Sequence, residues 1–98
     1  MNDQEFRKQK ARVLKFVGKW DEPLGIRWWT VAYRWHRGPF PSTGEPEHRT
    51  GIQRDVVGRI TVDWEYSQAT IEWNLEEVSD MTDELLEKTV VHEFMHLL

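Results

Sequence analysis

Residues 56–66 and 69–75 alternate apolar and polar side chains without a break, and this pattern constrains the fold more than any other part of the chain. In the first run Val56, Gly58, Ile60, Val62, Trp64 and Tyr66 fall on one side, and Val57, Arg59, Thr61, Asp63 and Glu65 on the other. In the second, Ala69, Ile71, Trp73 and Leu75 alternate with Thr70, Glu72 and Asn74. A period of two is the period of a β-strand. A short turn near Ser67 separates the runs, so the spacing predicts an antiparallel hairpin. One apolar and one polar face is what a sheet covered on one side requires. Residues 27–36 alternate in the same way: Trp29, Val31, Tyr33 and Trp35 should face a core, with Trp28, Thr30, Ala32 and Arg34 opposite.

The cover must come from helices. Over residues 3–17, Phe6, Val13, Leu14 and Val17 fall on one stripe at helical spacing, and Lys8, Arg12 and Lys15 lie off it. Asn2 or Asp3 can cap the start, and Gly18 is a natural stop. Residues 83–98 read as the last helix, capped by Thr82 or Asp80, with Asp83, Glu84 and Glu87 at its positive end. From Thr89 onward nearly every residue outside a central polar motif is apolar, and such a helix is built to be surrounded. Gly38, Pro39, Pro41, Gly44, Pro46 and Gly51 punctuate a long loop over 37–54. The order helix, strand, loop, hairpin, helix predicts one α+β domain over residues 1–98, with a small, mostly antiparallel three-stranded sheet.

Composition narrows the setting. The chain has no cysteine, which excludes disulfides and thiolate metal sites and suits a reducing compartment. Acids at Asp3 and Glu5 stand where a signal peptide would carry bases, and no apolar run approaches a membrane span. A cytoplasmic protein is the expectation. The net charge of -4 is unevenly placed: residues 1–20 hold six Lys and Arg against two acids. That stretch could meet a phosphate backbone, with Trp28, Trp35 and Trp64 stacking on bases. The simpler expectation is a solvated helix face and core aromatics, so nucleic acid is the weaker reading.

The chemistry lies in His92-Glu93-Phe94-Met95-His96. On a helix, positions four apart share a face, with Cβ atoms about 5–6 Å apart, so His92 and His96 can hold one ion between their imidazoles. Glu93 sits about 80–100° round the helix from His92. That is too far off axis for an equal third ligand, and well placed to take a proton from a metal-activated water. Zinc lowers the pKa of its water toward about 7, within reach of a carboxylate base. Imidazole ligands alone also suit copper, nickel and iron.

The stretch from Glu87 to Leu98 resembles the active-site helix of zincin metallopeptidases. Ala69-Thr70-Ile71-Glu72-Trp73-Asn74-Leu75, followed by a short acidic connection, is similar to the strand before that helix in small gluzincin-like and SprT-like domains. The resemblance implies a hydrolase that cleaves peptide or protein substrates with Zn2+. His92 and His96 would be the zinc ligands and Glu93 the general base. The strand at 69–75 would line the cleft, where an extended peptide pairs by strand addition. The family's third ligand lies on a segment after the helix, and here only Leu97 and Leu98 follow the motif. Four expectations stay open: the natural domain continues past Leu98; His36 or His48 completes the site; a second chain donates the ligand and self-associates through the apolar C-terminal helix; or the protein is a catalytically silent binding or assembly module.

Overall fold

The computed structural model of the protein describes residues 1–40 and 57–98. Helix α1 spans Asp3–Trp20 and starts where the Asn2 side chain accepts the Glu5 N–H at 2.8 Å. Its buried residues are Gln9, Val13, Phe16 and Val17, an i, i+4, i+7, i+8 series. Leu14 lies about 100° round from Val13 and is exposed; Phe16 takes the place expected for it. The helix runs through Gly18 without stopping. The left-handed conformation that glycine permits appears later, at Gly25, with φ 75°.

Strands β1 (Thr30–His36), β2 (Gly58–Asp63) and β3 (Gln68–Asn74) form a three-stranded sheet in the order β1-β3-β2. The hairpin is as expected: β2 and β3 are antiparallel, with Ile60 opposite Ile71, and Ser67 in the turn adopts φ 52°. The sheet is mixed, however, because β1 runs parallel to β3, with Tyr33 beside Ile71. Alternation reports which face a side chain takes and carries no information on strand direction, so the mostly antiparallel expectation fails at this pair. Along the three strands, Val31, Tyr33 and Trp35, Gly58, Ile60 and Val62, and Ala69, Ile71 and Trp73 share one face. The helices cover that face, and the central strand is the most deeply buried. Trp64 and Tyr66, expected to continue the apolar face, lie past the end of β2 and are exposed.

The strand at 69–75 does not lead into a loop. Asn74 caps a short helix, α2 (Leu75–Ser79), by accepting the Glu76 and Glu77 N–H groups at 3.1 and 3.4 Å. Helix α3 (Asp83–Met95) then begins at Thr82, whose hydroxyl accepts the Leu85 N–H at 3.2 Å. Arg12 joins the three helices. It donates to the Val78 carbonyl at 3.0 Å, the Met81 carbonyl at 2.7 Å and Asp83 Oδ1 at 2.9 Å. These bonds hold the connection between α2 and α3 against α1, so Arg12 is a tertiary tie and not part of a solvated face.

Leu86, Val90 and Phe94 of α3 are buried, together with Leu97. Leu85, Met95 and Leu98 are exposed, so α3 has one open flank and is not surrounded as its composition suggests. Among the described residues no helix is long and apolar enough to cross a membrane. The fold is α+β: helices packed on one face of a small mixed sheet.

Candidate metal centre

The end of α3 places the polar motif. His92 is in the last turn, and His96 caps the helix while keeping helical backbone angles (φ -66°, ψ -14°). The two imidazoles therefore stand one turn apart and edge to face, with ring centroids 5.0 Å apart and planes at 85°. One ligand atom from each of His92, Glu93 and His96 lies within 4.8 Å of the others. Around an ion with bonds of about 2.1 Å, tetrahedral ligand atoms stand roughly 3.4 Å apart. Both imidazole rings are exposed, so packing does not fix them at that separation. Neither imidazole hydrogen-bonds to another described residue.

Glu93 behaves differently from its neighbours. It is only 3% exposed and lies against the sheet. A Cβ at Gly58 would stand 3.6 Å from Glu93 Cδ and 3.3 Å from Cζ3 of Trp73. The glycine lets the β2 backbone close over both side chains. The motif thus combines two solvent-facing donors with one carboxylate wedged under a strand.

Beside His92 opens a groove of about 440 Å³, lined by Trp20, Glu84, Glu87, Lys88, Val91 and Met95. Its wall toward α1 is fixed: the Trp20 Nε1–H donates to Glu87 Oε2 at 2.7 Å, and Lys19 Nζ meets the same oxygen at 2.6 Å. Those bonds, from Lys19 first and then Trp20, hold the Glu87 carboxyl below its ordinary pKa. The polar groups of the wall are thereby used on one another, and the groove presents mainly apolar surface.

The structure brings His92, Glu93 and His96 together and leaves His36 out. His36 ends β1, at the far edge of the sheet from β2, where its Nε2 lies 2.9 Å from Glu72 Oε2. Glu72 also accepts Arg59 Nε at 2.9 Å. Burial by itself would raise the Glu72 pKa, but the bonds from Arg59 and His36 outweigh it and hold the carboxyl below its usual range. His36 is thus committed to a structural carboxylate and does not complete the metal set. His48 lies outside the described residues, as does most of the loop expected over 37–54.

A second expectation also changes. Strand addition cannot take place on residues 69–75, because β3 is central and both its edges are paired. Among the described residues β2 pairs only with β3, so the open edge beside Glu93 belongs to β2. Gly58 had the signal to be noticed, since a glycine inside a strand pattern marks a close approach of backbone. Trp20 had none: nothing local says that it walls a groove built by a helix far along the chain. Comparison with protein families, with curated proteins and with solved structures finds no match to this chain.

Proposed function

We propose that this protein is a zinc-dependent metallopeptidase. The observation that carries the reading is the convergence of two exposed imidazoles and one buried carboxylate within 4.8 Å at the end of a single helix. The donor types fit zinc: neutral imidazole nitrogens are among its preferred ligands. The position fits a cation as well, because the last turn of a helix carries partial negative charge. His92 and His96 would hold the ion. Bound zinc supplies a Lewis acid that polarises a carbonyl and acidifies a water.

The protein's own groups supply the rest. Glu93, packed under Gly58 and one residue from His92, would take the proton of the attacking water and return it to the leaving nitrogen. The edge of β2 that pairs with no described strand offers backbone groups to an extended peptide, and the groove beside His92 gives that peptide room. Catalytic zinc sites use three protein ligands. No described His, Asp or Glu besides His92, Glu93 and His96 joins the cluster, so a further donor would come from outside the described residues, His48 among them.

The test separates this reading from a silent binding or assembly module. Dialysed at neutral pH after zinc loading, the protein should retain about one zinc per chain. Glu93→Gln should keep the metal and lose peptide hydrolysis by about two to four orders of magnitude. A chain that holds no zinc overturns the proposal. Zinc retained without hydrolysis, in wild type and variant alike, supports the silent module in its place.

A further inference from the structure

One end of the sheet carries aromatic rings that the core does not use. Trp28, Trp64 and Tyr66 are 83%, 63% and 65% exposed. Large aromatic side chains are rarely left so open, and a cluster of them on a surface marks a place where something binds. The three belong together through the register. Thr30, Gln68 and Asp63 form the last rung of the sheet, about 10 Å across from β1 to β2. Trp28 and Trp29 lie just before that rung on one side, and the turn from Trp64 to Ser67 just beyond it on the other.

The rings stand on a braced frame. The Thr30 N–H donates to the Ser67 carbonyl at 2.9 Å, tying the hairpin turn to the start of β1. Trp29 meets Trp64 edge to face, with centroids 5.2 Å apart. Trp28 ends a 3-10 turn, Ile26–Trp28, whose Ile26 is buried in the core. A rigid aromatic presented this way loses little conformational entropy when it is covered.

The charges around the rings say what covers them. Asp63 and Glu65 alternate with Trp64 and Tyr66, all four exposed, and neither acid has an ion-pair partner among the described residues. Aromatic faces beside carboxylates that no described cation pairs with attract cations. The same carboxylates repel phosphate, which argues against nucleic acid and anionic lipid. The start of α1 lies at the other end of β1, where Arg37 bonds Asp3 at 2.8 Å, and at its near end Lys19 is paired with Glu87.

We propose that this end of the sheet is a docking surface for a basic peptide segment of a partner protein, whose Lys or Arg side chains lie on Trp64, Tyr66 and Trp28 and pair with Asp63 and Glu65. The surface is separate from the metal centre: Gly58 and Trp73, which pack on Glu93, sit near the opposite end of the strands, roughly 15–20 Å away at about 3.3 Å per residue.

The experiment titrates the isotope-labelled protein with an acetylated, amidated peptide of alternating glycine and arginine, read by NMR at the indole N–H signals. The Trp28 and Trp64 signals should shift, with a dissociation constant that rises with ionic strength. Trp64→Ala should weaken binding by about tenfold. Asp63→Asn combined with Glu65→Gln leaves every ring in place and should weaken it by about fivefold, with most of the salt dependence gone. No indole shift with excess peptide overturns the proposal. So does an equal response to a glycine–glutamate peptide, or a stronger one to a single-stranded oligonucleotide or to zwitterionic phospholipid vesicles.

Discussion

Among the described residues two carboxylates are buried next to histidines, and they sit on opposite faces of the sheet with opposite prospects. Glu72 is saturated: Arg59 and His36 each stand 2.9 Å from one of its oxygens, and Phe40 backs both partners. Glu93 lies beside His92 and His96, whose rings face each other and solvent with no hydrogen bond to another described residue. A histidine near an acid is therefore no sign of chemistry. What separates the pairs is whether an imidazole nitrogen is already tied to a partner. At the sheet Nε2 of His36 is bound to a carboxylate that an arginine also holds, which yields structure. At the helix end neither ring is bound to another described residue, which allows a ligand.

The sharpest way to break this contrast is to remove one histidine from each side. His96→Ala should lower zinc affinity by at least about a hundredfold, more than the loss of an outer-shell partner costs, whereas His36→Ala should leave it unchanged. Competition against a chromophoric chelator measures both. An equal loss in the two variants would mean that His36 belongs to the site after all. Acid should release the ion in wild type, because a protonated imidazole has no lone pair to offer.

The next effect is on stability. Arg59→Met leaves the Glu72 carboxylate buried with one partner fewer and should cost about 1–3 kcal/mol in urea unfolding, with zinc content unaltered. The pH dependence follows from the same carboxyl. Its folded pKa is held below the unfolded value, so it contributes stability above about pH 4.3 that is lost as pH falls through the folded pKa. Glu72→Gln should therefore show a shallower loss of stability on acidification than wild type, read as the difference between their unfolding free energies at each pH. Parallel curves would contradict the role given to Glu72.

The smallest effect should come from Gly58→Ala. The new methyl would meet the Trp73 ring at 3.3 Å, which asks for a shift of a few tenths of an ångström, and Glu93 at 3.6 Å, an ordinary contact. Stability should change by less than about 1 kcal/mol, while hydrolysis should fall several-fold as the shift of the Trp73 ring is passed to Glu93. Unchanged hydrolysis would show that the packing under β2 does not position the base.

Much of the architecture could be read from local pattern. Alternation located β2 and β3 to within two or three residues at each end, and a capping threonine located the start of α3. The proximity of His92, Glu93 and His96 follows from helical spacing alone. Other features had only misleading local signals. The acidic run after Asn74 reads as a connection until the Asn74 side chain is seen capping α2. Gly18 looks like a stop, yet the helix continues to Trp20, which walls the groove. Trp64 alternates like a core residue and lies outside the sheet.

By itself the sequence determined what depends on neighbours along the chain: which residues alternate, which form a helix, and which donors share a helix face. Those are set by the 2.0 and 3.6 periods of the backbone. The tertiary structure alone decided that β1 runs parallel and β3 lies in the centre, that His36 is bound to Glu72, and that Gly58 closes over Glu93. These pairings join residues far apart in sequence, and they depend on which contacts fill the shared core rather than on any local preference.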